Sequence, residues 1–120
     1  MTRDIESRTF EFAVRIVKMS TLIPKTSDGR VLANQVLRAG TSIGANVEEA
    51  EGAYSKADFI HKMSVALKEA KETHYWLRLM KATDLLKPSR MEDIIRESEE
   101  LKKILGAIVS KARGKSKSLH

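Results

Sequence analysis

The feature that most constrains this chain is the spacing of its apolar residues, which recur at three- and four-residue steps through four long segments. The period of two that a half-buried strand requires is not found between them. Glycine, proline and serine separate the segments at 24–29, 52–55 and 86–89. We therefore predict an all-α fold, an antiparallel up-and-down four-helix bundle, with helices near 5–23, 28–51, 55–86 and 89–112.

Two of the predicted helix starts carry a capping signal. Ser55 precedes Asp58, and Ser89 precedes Glu92, at the spacing in which a serine hydroxyl accepts a hydrogen bond from a backbone amide of the first turn. The sequence therefore predicts that these two serines begin helices three and four. Pro88 is predicted to end helix three.

Length and composition favour a single domain. The chain has 120 residues and no cysteine, which excludes disulfides and thiolate metal sites. It shows neither a signal segment nor an apolar run near the ~20 residues of a bilayer span, so we expect a soluble, cytoplasmic protein without membrane contact. The bundle is expected over residues 1–112, and residues 113–120 are expected to form a basic, mobile tail.

Helix one carries more apolar surface than one bundle seam needs, since a seam requires a stripe only about 100° wide. One stripe comprises Phe10, Ala13, Val14 and Val17. A second, roughly 140° away at 100° per residue, comprises Phe12, Ile16, Met19 and Ile23. The surplus predicts an interface between copies of the chain, which we assign to Phe12, Ile16, Met19 and Trp76. For Trp76, shielding of a core edge is an equally good interpretation.

Helix two contains two glycines four residues apart, although each costs a helix up to about 1 kcal/mol relative to alanine. Gly40 and Gly44 would leave a flat strip on which another helix can approach closely, so contact offsets the lost propensity. Ser42 and Asn46 border the apolar stripe of the same helix and are candidates for buried hydrogen bonds that fix helix register.

The same segment resembles a known family. Arg38, Ser42-Ile43, Asn46-Val47 and Glu49, followed by Ser55-Lys56 and Asp58-Phe59-Ile60, match the pattern of small bacterial four-helix bundle proteins encoded by intervening sequences within 23S rRNA genes. The resemblance covers nearly the whole chain. It implies a bundle that assembles into a ring, with homopentamers expected, and no established catalytic activity. The chain also resembles the accessory variability protein of diversity-generating retroelements, a pentameric relative that partners a reverse transcriptase and binds nucleic acid.

Catalytic, cofactor and metal sites are not expected. Asp58 and His61 have acid-x-x-His spacing, but Lys71 stands where His74 would need an acid, so the paired motif of a bundle metal site is incomplete. An enzymatic hypothesis would require a pocket that excludes water around Glu69, Glu72 and His74.

Basic residues provide the leading functional hypothesis. The formal net charge is +6, and candidate contacts to nucleic acid are Arg15, Lys18, Lys68, Lys71, Arg78, Lys111, Arg113, Lys115 and Lys117. We expect a non-enzymatic oligomeric scaffold or adaptor that contacts RNA or DNA nonspecifically, or a nucleic-acid enzyme, through this surface and the tail. The alternative is a purely structural homo-oligomer whose charge only maintains solubility. The sequence indicates no small-molecule ligand.

Overall fold

The computed structural model describes residues 2–114, with side chains from residue 4 onward. Over this range the chain forms four helices and no strand. They are α1 (Thr2–Ser20), α2 (Ser27–Glu51), α3 (Lys56–Ala82) and α4 (Pro88–Ala112). Helices that follow each other in the chain pack side by side, and a less extensive contact between α1 and α4 closes the arrangement. The prediction of an all-α four-helix bundle is confirmed.

The helix ends show which local signals were decisive. At α3 the Ser55 hydroxyl accepts the backbone N–H of Asp58 at 3.1 Å, so the predicted cap is confirmed. The predicted cap of α4 is wrong, because the helix begins one residue before Ser89. Pro88 occupies its first turn, where the missing N–H costs nothing and the fixed φ suits a helix, and Lys87 is the N-cap.

α3 ends at Ala82, four residues before the predicted position. Asp84 adopts a left-handed conformation with φ of 58°. The N–H of Leu85 then donates to the carbonyl of Met80, and that of Asp84 to the carbonyl of Lys81, each at 3.1 Å. This pair of bonds satisfies the last carbonyls of the helix without a glycine, which is why the sequence did not reveal it.

The core is continuous and contains side chains from all four helices. One face of α4 lies inside it, with Met91, Ile94, Ser98, Leu101, Leu105 and Ile108 all buried. The three buried polar side chains among the described residues, Thr9, Thr73 and Ser98, each donate a hydrogen bond to a backbone carbonyl of their own helix. None of these three buried hydroxyls is therefore left without a hydrogen bond.

The division of the two stripes of α1 was wrong. Phe12, Ile16 and Met19 are 1%, 0% and 8% exposed, so the single chain already buries the residues that we assigned to an interface between copies. The stripe that faces outward is the other one, in which Phe10 is 60% and Val17 is 47% exposed. Surplus apolar surface on α1 is present, but on the opposite side from the one expected.

The glycines of α2 lie where α1 approaches. A Cβ atom built on Gly40 would lie 2.9 Å from Cγ1 and 3.0 Å from Cγ2 of Ile16, both inside van der Waals contact. One turn further along α2, a Cβ on Gly44 would lie 3.3 Å from the backbone oxygen of Thr9. The two helices can therefore pack this closely only because α2 has hydrogen atoms at these positions.

Candidate polyanion-binding groove

Four positively charged side chains come together on the outer face of α3 and α4. Lys71 and Arg78 are seven residues apart, two turns along the same side of α3. Lys102 and Lys103 of α4 lie across from them. Together with His74 and Tyr75, these four side chains line an open groove of about 370 Å³. The groove thus combines four cations with an aromatic ring that is 49% exposed.

One carboxylate, Glu99, lies among these cations. Its oxygens lie 3.1 Å from Nζ of Lys102 and 3.9 Å from Nζ of Lys103. Oε1 of Glu99 is also 3.1 Å from Nε2 of His74. Four cations against one carboxylate leave the groove with three positive charges when the imidazole is neutral.

His74 is held in its neutral form near pH 7. Desolvation of its ring, together with the positive charge of Lys102, lowers the pKa of His74 below its ordinary value, although Glu99 acts in the opposite direction. Proximity to Glu99 would by itself favour the imidazolium. That carboxylate is already shared with two lysines, so its field at the ring is partly cancelled.

The structure separates the cations that the sequence grouped together. Lys71 and Arg78 are in the groove, whereas Lys68 lies on an exposed part of α3 close to Glu72. Arg15 and Lys18 line a different depression together with Arg90 of α4, and Arg15 also forms an ion pair with Asp93 of α4 at 2.8 Å.

The cations of the C-terminal region are only partly described. Lys111 is exposed in the last turn of α4, and Nη2 of Arg113 donates to the hydroxyl of Ser64 at 3.1 Å. Lys115, Lys117 and most of the predicted tail fall outside the described residues. Neither of the described C-terminal cations lines the groove.

Lys102 and Lys103 were not among the cations predicted to contact nucleic acid. Solvated positions on two helices become one surface only when the relative rotation of the two helices is known. The i to i+3 pairing of Glu99 with Lys102 was visible in the sequence, yet it indicates a stabilised helix as readily as a binding surface.

A second polar cluster joins α2 to α3. The guanidinium of Arg38 contacts Glu69 at 3.4 Å, pairs closely with Glu72, and donates to Oε1 of Gln35 at 3.0 Å. The indole N–H of Trp76 donates to the same Glu72 carboxylate at 2.9 Å. The hydrogen bonds that Glu72 accepts from Trp76 and Arg38 stabilise its charged form, and both lower its pKa, the bond from Trp76 more strongly.

This cluster excludes the acid–histidine site on which the enzymatic hypothesis depends. Glu69 and Glu72 are directed toward Arg38 on α2, whereas His74 is directed toward Glu99 on α4. The three side chains therefore do not surround one pocket. Within residues 4–114, no three acidic or histidine side chains gather in a way that could hold a metal ion.

Ser42 and Asn46 do not bridge helices as expected. The hydroxyl of Ser42 donates to the carbonyl of Arg38, and the amide of Asn46 donates to the carbonyl of Ser42, each at 2.8 Å. Both bonds stay within α2, because the preceding turn offers an acceptor at this distance. The register role assigned to these side chains is thus not what these bonds provide.

No helix in the described part of the chain is long and apolar enough to cross a membrane.

The family model for 23S rRNA-intervening sequence proteins matches residues 2–107. Among solved structures, the chain is similar to a protein of unknown function from the S23 ribosomal protein family of Bacteroides thetaiotaomicron VPI-5482. The two are 45% identical, the match covers 88% of this chain and 97% of the other, and the TM-score is 0.82. None of the curated proteins compared with the chain matches it significantly. The chain belongs to the 23S rRNA-intervening sequence protein family.

Proposed function

We propose that this protein is a non-enzymatic, homo-oligomeric scaffold that contacts RNA or DNA through the groove between α3 and α4. The observation that carries the proposal is the convergence of Lys71, Arg78, Lys102 and Lys103 around one open surface. Cations aimed at phosphates supply most of the affinity of nonspecific nucleic-acid binding. An open groove also suits a polymer better than a small molecule, which binds in an enclosed pocket.

The arrangement of the groove supports a nucleic-acid strand in particular. Lys71 and Arg78 are about 10 Å apart along the helix axis, roughly three times the 3.4 Å axial spacing of phosphates along one strand. Tyr75 lies between them in the chain and offers a partly exposed ring on which a base can stack. These contacts would depend on phosphate charge and base stacking and would not distinguish one nucleotide sequence from another.

Self-association is the second part of the proposal. The exposed stripe of α1 supports it, since Phe10, Val14 and Val17 leave an apolar surface in water. In a ring of five copies, the number that the family resemblance implies, the groove would be repeated and its binding made avid. A cytoplasmic location belongs to the same proposal, because a fold without cysteine is unaffected by a reducing compartment.

The competing function is a purely structural homo-oligomer that binds no nucleic acid. The α1 stripe favours it as much as it favours the scaffold, so only the groove distinguishes the two. Fluorescence anisotropy with a mixed-sequence, single-stranded RNA of about 20 nucleotides provides the test. If four phosphate contacts form, affinity should fall about 50-fold between 50 and 200 mM salt, since the slope is about −0.7 per contact.

A matched pair of double variants locates the binding. Lys71→Gln with Lys103→Gln removes one exposed cation from each helix of the groove and should reduce that salt effect to about 7-fold. Lys25→Gln with Lys56→Gln removes the same charge from exposed positions outside the groove and should leave it near 50-fold. Failure of the wild type to bind at 50 mM salt, or equal effects of the two double variants, would refute the role of the groove.

A further inference from the structure

The two helices of the groove present their cations in different states. The ion pairs formed among residues 4–114 include neither Lys71 nor Arg78 of α3. Lys102 and Lys103 of α4, in contrast, both lie against the carboxylate of Glu99. A phosphate can therefore approach the α3 side of the groove directly, whereas the lysines of the α4 side already hold an anion.

Glu99 occupies the position at which a phosphate would contact the α4 side. Its Oε1 atom lies 3.1 Å from both Nζ of Lys102 and Nε2 of His74, and its Oε2 atom lies 3.9 Å from Nζ of Lys103. Carboxylate and phosphate oxygens accept charge-assisted hydrogen bonds from such groups at similar distances. The two anions cannot occupy this position together, because they would repel each other at contact distance.

The contacts of Glu99 are weak enough to be exchanged. Its side chain is 36% exposed, and it pairs with lysines only three and four residues further along the same helix. An exposed ion pair of this kind changes an equilibrium by at most about fivefold. Rotation about the side-chain bonds of Glu99 takes the carboxylate into water without any movement of α4.

We propose that Glu99 is a built-in competitor of nucleic acid, which holds Lys102 and Lys103 in the free protein and gives way to a phosphate when a strand binds. A strand also gains contacts with Lys71 and Arg78, with which Glu99 forms no ion pair, and these contacts drive the exchange. The inference rests on the proposed function, and it adds the residue that sets the affinity of the groove.

Glu99→Gln tests the competition, with the same single-stranded RNA of about 20 nucleotides. Glutamine keeps the size of the side chain and removes its charge, so the strand no longer displaces an ion-paired carboxylate. Affinity at 50 mM salt should rise about 2- to 30-fold, the combined effect of two exposed pairs. The fall in affinity between 50 and 200 mM salt should stay near 50-fold, because the same phosphates are contacted.

Glu48→Gln is the matched control. It removes the same charge from an exposed position of α2 that does not line the groove. Salt screens a charge outside the groove, so this variant should change the affinity for the RNA by less than about 2-fold.

The pKa of His74 gives a second measurement, which reports on the position of the carboxylate. Desolvation and the charge of Lys102 lower this pKa, Glu99 opposes them, and Arg78 lowers it further. Glu99→Gln should therefore lower the pKa of His74 below that of the wild type in an NMR titration of the imidazole. An unchanged pKa would place the carboxylate away from the groove and overturn the inference.

The binding results separate this inference from the proposed function. Weaker binding by Glu99→Gln would show that the carboxylate positions the lysines for the strand, which overturns the competition. An affinity equal to that of Glu48→Gln would overturn it as well. In both cases the wild type still binds RNA and the proposed function stands. If neither the wild type nor Glu99→Gln binds at 50 mM salt, the proposed function is refuted together with the inference.

Discussion

Replacing Gly40 with alanine tests the close packing of α1 on α2. The new Cβ would lie 2.9 and 3.0 Å from two carbons of Ile16, a side chain that is 0% exposed. Overpacking of this kind costs about 1–3 kcal/mol, and the better helix propensity of alanine returns about 1 kcal/mol. We therefore expect Gly40→Ala to lower the free energy of unfolding by about 1 kcal/mol, measured by urea denaturation.

The effect of Gly40→Ala on the free energy of unfolding should change sign when the close contacts with Ile16 are removed. Ile16→Ala deletes the two nearest carbons at a cost of about 2–5 kcal/mol and leaves only the Cβ of residue 16, 3.3 Å from the new methyl group. In that background, Gly40→Ala should raise the free energy of unfolding by about 1 kcal/mol, so the two changes are coupled by about 2 kcal/mol. Gly106→Ala is the matched control within α4, since its Cβ would meet nothing nearer than a Leu67 carbon at 4.0 Å. Gly106→Ala should raise the free energy of unfolding by up to about 1 kcal/mol. A stabilising Gly40→Ala in the wild-type background would refute the packing argument.

Three further changes test other parts of the structure. Asp84→Gly should raise the free energy of unfolding by about 0.5–1 kcal/mol, because glycine adopts the left-handed conformation without steric cost; an unchanged urea midpoint would contradict this. The pKa of His74 in the folded state lies below its ordinary 6.5, so protonation opposes folding and the free energy of unfolding should fall as the pH drops below about 6.5. The His74→Gln variant should lose less of this free energy between pH 7 and 5 than the wild type. An identical loss in the two proteins would refute the lowered pKa of His74. Phe12→Glu should unfold the chain, whereas Phe10→Glu should keep its helical circular dichroism and weaken association; a folded Phe12→Glu would contradict the observed burial.

The sequence predicted the helices well because apolar periodicity and the breaks are local properties of the chain. The ends of the helices were harder to predict. Ser55 caps α3 as its spacing indicated, but Asp84 ends the same helix in a conformation that usually selects glycine. At α4 the proline outweighed the nearby serine.

Properties that depend on how helices rotate against each other could not be read from the sequence. Phe10 and Phe12 are equally apolar and lie on different sides of α1, and only the positions of the other helices decide which of them is buried. Gly40 and Gly44 indicated a close approach without indicating that Ile16 and Thr9 would fill it. For the same reason the sequence indicated only two of the four cations of the groove. Lys71 and Arg78 share a face of α3, but Lys102 and Lys103 come next to them only through the packing of α4 on α3.

The mass of the particle in solution tests the central claim, that the apolar face of α1 is covered by further copies of the chain. Light scattering of the purified protein at micromolar concentration measures it directly. We predict a mass that is a whole multiple of 13.5 kDa and at least twice that value. A mass of 13.5 kDa at this concentration would contradict the account.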